Sequence, residues 1–293
     1  MRHVMSITGV LLTGCTAVLL CVTGNAAIHQ RPGAGLPEWR APLTAPGTPG
    51  AASMDDTLSR NGIAPGTEKA RMLKTWFEMV LHDPIIATQV AGGAAALQRI
   101  FLDESRREAL MSSGLARLTP DERLLYLQLF TRLIDELVPV NCFGLVDMSA
   151  VMNRITIAQM SDADTALYLR LLYRVLLSSA SDASIPLPTL QEYKAAIEAL
   201  SRAIVIELNA DAASLDRYEM YTLRPSAATP SDVCWMTRVT LHAIAKMPES
   251  QRDVVLLTAI TGSGVHALTS PAEVEPPQAP RPSRDRSTDK AIP

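Results

Sequence analysis

Cys142 and Cys234 are the residues of this 293-residue chain whose chemistry is easiest to state. In an oxidising compartment two cysteines left in an otherwise cysteine-free domain form one bridge. Here it would close a loop of about 90 residues and stabilise by roughly 4 kcal/mol in the chain-entropy account. The alternative is two separately buried thiols acting as small hydrophobes. Neither has a second cysteine or a histidine at metal-ligand spacing, so no zinc site is expected. Glu78 and His82, in "TWFEMVLHD", stand four apart on one helical face, a spacing that presents two metal ligands or an acid beside a base. With no third ligand in the pattern, it reads first as the polar side of an amphipathic helix, and no metal or other cofactor is expected. His242, in "VTLHAIAKM", reads as a hydrogen-bonded core histidine. Arg132 and Arg174 occupy matching places on two similar helices and could jointly receive an anionic partner; solvation or ion pairing is the plainer use of both.

A further carboxylate is Glu104, which opens a helical stretch in "LDESRRE". Glu104-Ser105 is similar to the Glu-Ser start of the catalytic motif of lytic transglycosylases, and that resemblance implies a general acid acting on cell-wall glycan. The Gly-Leu-Met-Gln continuation is missing and Arg106 and Arg107 follow at once, so a solvated charge run is the stronger reading. No catalytic motif is otherwise recognised. "TGSGVHA" lacks the G-x-S-x-G order that would expose a nucleophile.

Where these residues work depends on the N-terminus. Val4 to Thr23 is 20 residues without a charge, preceded by Arg2, which is long enough to cross a bilayer as a helix. Small residues follow, with Val22 and Gly24, or Gly24 and Ala26, at signal-peptidase spacing. Leu12-Thr13-Gly14-Cys15 resembles the lipobox of bacterial lipoproteins, which implies a lipidated Cys15. Residues 1–27 are therefore a signal peptide first, an uncleaved membrane anchor second and a lipidation signal third. Each expectation places the rest of the chain outside the cytoplasm, periplasmic or anchored on the outer side of the inner membrane, unless an uncleaved anchor inserts the other way round. Arg31 and Arg40 lie close behind the segment and weaken the charge asymmetry that would fix its orientation.

The elements that must position the candidate residues are helices. Their starts are marked by a capping hydroxyl followed by an acid or a proline: "TPDE" at Thr119–Glu122, "TLQE" at Thr189–Glu192, Thr229-Pro230-Ser231-Asp232, and Ser161-Asp162-Ala163-Asp164. Alternating β-branched runs with hairpin turns are missing, so the expected class is all-α. "LTPDERLLYLQLFTRLID" from Leu118 and "MSDADTALYLRLLYRVLL" from Met160 align without a gap at an offset of 42, placing Leu125, Tyr126, Leu127, Leu129 and Arg132 on Leu167, Tyr168, Leu169, Leu171 and Arg174. That period suits solenoid-like helix pairs; a non-repetitive multi-helix bundle is the simpler expectation. Both helices are apolar around most of their circumference, which makes them central elements and Tyr126 and Tyr168 core aromatics.

Composition frames the rest. The chain is 47% hydrophobic with formal charge -3. Residues 67–266 carry 19 basic against 23 acidic side chains, a balance of -4 that argues against nucleic acid as a partner. Residues 28–66, rich in proline and glycine, read as a disordered linker, and residues 267–293 as a disordered proline-rich tail. Between them, residues 67–266 suffice for one all-helical domain. The function expected from these features is a protein-interaction or scaffold role in the cell envelope, with membrane association through the N-terminal segment.

Overall fold

The computed structural model describes residues 53–89, 111–181 and 183–261, and every regular element among them is helical. In chain order these are α1 (Met54–Arg60), α2 (Glu68–His82), α3 (Pro84–Gln89), α4 (Pro120–Leu137), α5 (Met148–Met152), α6 (Asp162–Ser179), α7 (Leu190–Glu207), α8 (Ala212–Leu223), α9 (Pro230–Ala245) and α10 (Glu249–Thr261). A helical segment, 111–116, precedes α4. The fold is an all-α bundle.

Local chemistry sets the starts. Thr119, Thr189 and Thr229 each accept a hydrogen bond from the amide three residues on, while Glu122, Glu192 and Asp232 reach back to the capping residue's own amide. Each box satisfies two amides that a helix N-terminus leaves without partners. Ser161 caps α6 by accepting from the Asp164 amide.

The linker reading of residues 28–66 does not hold for its last part. Ser53 and Asp56 form a capping box for α1, and Leu58 and Ile63 are buried. Gly62, at φ 77°, ends α1, and the Ile63 amide donates back to the Leu58 carbonyl at 2.9 Å. A left-handed residue at that place is how glycine terminates a helix.

Two cores result. In the first, Leu58, Leu73, Trp76 and Ile86 from α1–α3 pack against Leu169 and Leu176 of α6. Trp76 Nε1 also donates to the Leu169 carbonyl at 2.7 Å. In the second, Leu127 and Ile134 of α4 meet Leu200 and Ile204 of α7, Tyr218 of α8, Leu241 and Ile244 of α9, and Val255 of α10. Each fully buried aliphatic side chain contributes about 1.5–3 kcal/mol. The junction is α4 against α6, where Leu125, Tyr126, Leu129 and Leu133 meet Leu167, Tyr168 and Leu171. The repeated helices therefore face each other across a seam, and do not stack in the translational array that solenoid-like pairs would form.

At the entry to α4 a buried cation is paired. Arg123, 6% exposed, donates to Asp253 through Nε at 2.7 Å and Nη2 at 2.9 Å, and through Nη1 to the carbonyls of Ala116 and Leu118. A buried guanidinium with its donors met is a positioning device: it fixes the entry to α4 against α10. Burial pushes the Tyr126 phenol up to about 12, with Tyr168 adding to it. Both tyrosines line the seam, as the core-aromatic expectation required.

Candidate functional site

The feature that departs most from regular helix is the turn between α4 and α5. Cys142, Phe143 and Gly144 all take left-handed backbone angles, with φ of 47°, 55° and 76°. Two of the three carry a Cβ, and each such residue costs about 1–2 kcal/mol relative to a right-handed conformation. Three amide donations close the turn: Cys142 to the Pro139 carbonyl at 2.9 Å, Gly144 to Asn141 at 2.8 Å and Leu145 to Cys142 at 2.9 Å.

A covalent bond anchors it. Cys142 is joined to Cys234 of α9, with the Cα atoms 5.5 Å apart and both residues fully buried. The free-thiol alternative does not describe this structure. Arg238, one helical turn beyond Cys234, places Nη1 3.3 Å from the Cys234 sulfur. Its Nη2 donates to the Ile134 and Val138 carbonyls at 2.9 and 2.7 Å, so one side chain caps the C-terminus of α4 and braces the bridge. Asp135 completes the layer, with Oδ1 3.5 Å from Arg238 Nε and Oδ2 2.9 Å from His242 Nε2. His242 is thus a half-exposed partner of a carboxylate and not the core histidine that its apolar neighbours suggested.

On this anchored turn three apolar side chains stand in solvent: Val140 is 79% exposed, Phe143 39% and Val146 54%. Chemically the turn offers exposed apolar side chains on a covalently anchored backbone.

The other sequence candidates are dispersed. Arg132 and Arg174 do not converge on one ligand: Arg132 Nε lies 2.9 Å from Asp164, and Arg174 Nε 2.6 Å from Glu122, at opposite ends of the seam. Burial raises the Glu122 carboxyl, but the Thr119 amide and Arg174 outweigh it and hold that group below its ordinary value. Glu78 and His82 are both exposed, and the His82 Nδ1 sits 2.7 Å from the Glu78 backbone carbonyl, within its own helix. Among the described residues no group of three or more His, Cys, Asp and Glu side chains is placed to hold a metal ion. Glu104 and Cys15 lie outside the described residues, as do the segments 1–27 and 267–293. No described helix is long and apolar enough to cross a membrane.

One cluster escaped the sequence reading. Asp232 accepts from Thr229 Oγ1 at 2.6 Å and from Arg217 Nη2 at 2.5 Å, and the Arg217 guanidinium lies 4.4 Å above the centre of the Trp235 ring. Burial raises the Asp232 carboxyl, but bonds from Thr229, Arg217 and Tyr221 hold it well below the usual carboxylate range. The capping box marked Asp232; nothing local marked Arg217, which arrives from α8. No family model, no curated protein and no solved structure matches this chain.

Proposed function

We propose that the chain is an exported protein of the cell envelope whose helical domain binds a protein partner through the anchored turn at Val140–Val146. The observation that carries this reading is the conjunction at that turn of a buried Cys142–Cys234 bond with exposed Val140, Phe143 and Val146. Disulfides persist in oxidising compartments, which agrees with the uncharged run Val4–Thr23 as an export segment. A pre-ordered turn loses little freedom on binding, and an exposed aromatic such as Phe143 is a residue type enriched at interface cores.

The test has two arms. Thiol titration of unfolded, unreduced protein from the envelope fraction should find Cys142 and Cys234 blocked; both free would remove the export reading. Cross-linking in cells that express the full chain, with Phe143→Asp beside the parent, should then lose a partner that the parent captures, at unchanged thermal stability. An identical cross-linking pattern for the two chains removes the binding surface.

A further inference from the structure

The offset of 42 residues that aligns α4 with α6 also relates what each helix does. Thr119 and Ser161 cap the two helices, and 42 residues separate them. Glu122 and Asp164 hold the same place in the first turn, and Arg132 and Arg174 the same place ten residues further on. Across the seam each arginine pairs with the other helix's acid: Arg132 with Asp164 at 2.9 Å, Arg174 with Glu122 at 2.6 Å. The helices are therefore antiparallel, and exchanging them end for end reproduces both contacts. Burial repeats as well: Leu118 and Met160 are 3% and 8% exposed, Leu129 and Leu171 2% and 3%, Leu133 and Val175 4% and 1%.

Each helix by itself carries both halves of the pairing, an acid and an arginine about 15 Å apart along its axis. A second α4 turned end for end would meet the first as α6 does, Glu122 to Arg132 and Arg132 to Glu122, with Leu125 and Leu129 between them. The seam is also where the two cores join, and opening it parts α4 from α6 and uncovers Val175, which packs on Leu115 and Leu118.

We propose that the α4–α6 seam is a self-complementary, two-fold interface enclosed within one chain, through which a second copy of the chain can pair. Within one molecule the high effective concentration of α6 keeps α4 occupied. When the internal match is spoiled, like pairs with like between two molecules.

Charge reversal on one helix tests this in the full-length, oxidised chain. Asp164→Arg with Arg174→Glu sets like charges against Arg132 and Glu122 inside the molecule, yet leaves α6 complementary to a second α6 and α4 to a second α4. Light scattering should show this variant at twice the mass of the parent. Adding Glu122→Arg and Arg132→Glu restores the internal match and should return the mass to the parent's. A folded variant at the parent's mass overturns the proposal. So does one that unfolds without pairing while the fourfold variant folds, because a second copy should have rescued it. If both reversed chains unfold through loss of their first-turn acids, Glu122→Cys and Arg132→Cys combined with Asp164→Asn and Arg174→Gln, which remove the internal charge match, decide. Positions 122 and 132 are too far apart on one helix to bridge, so oxidative refolding at high concentration should give dimers cross-linked from 122 to 132, identified by peptide mass. Their absence overturns the proposal.

Discussion

Arg238 serves three groups at once: the Cys234 sulfur, the last carbonyls of α4 and Asp135. The bridge it braces is a single bond between two buried residues, so its two ends are thermodynamically one site. Cys142→Ser and Cys234→Ser should each lower stability by about 2–5 kcal/mol, and the double variant should be no worse than either, as denaturant melts of all three would show. Asp232 sets a different dependence. Its folded carboxyl titrates well below its ordinary value of 3.8. The stability it contributes is therefore present above pH about 4 and is lost as the pH falls from there toward the folded value. Asp232→Asn should melt lower than the parent at pH 7 and lose less on acidification from pH 5 to 2. Equal losses in thermal melts would assign the acid sensitivity to other groups.

At the level of elements, the approach of segment 111–116 to α6 depends on one missing methyl. A Cβ on Gly114 would lie 2.3 Å from the Val175 carbonyl and 2.6 Å from its side chain. Gly114→Ala should therefore destabilise by about 1–3 kcal/mol by forcing the two segments apart, and a parent-like melting temperature would contradict that packing. The helix starts at Thr119, Ser161, Thr189 and Thr229 were legible in the sequence because a cap and its amide lie within three residues of each other. The cysteine pair was legible because only two remained to pair. What stayed hidden is tertiary: Arg123 and Asp253 are 130 residues apart, and nothing around Arg123 says that its charge is buried. α1 stayed hidden in the proline- and glycine-rich composition of residues 28–66 for a related reason, since glycine serves both to loosen a chain and to end a helix, and only the burial of Leu58 and Ile63 separates the two. The repeat was visible as letters at an offset of 42; its antiparallel arrangement was not, because alignment carries no direction in space.

For the molecule as a whole, the division into two cores matters more than the number of helices. α6 belongs to the first core, while the chain on both sides of it runs into the second. The bridge from Cys142 to Cys234 spans 92 residues and encloses α5 to α8 and the start of α9. Tension applied between the two ends of the chain would pass from one sulfur to the other and leave that ring slack. An extended residue supplies about 3.3–3.6 Å, so the oxidised chain should release about 300 Å less contour length than the reduced one when pulled in a force spectrometer. Equal lengths before and after reduction would mean that no bond carries the load. For a chain held at one end by a membrane and at the other by a partner, the bond would take α5 to α8 out of the load path, so the flanks would be drawn out while the segment between the two sulfurs bears no tension.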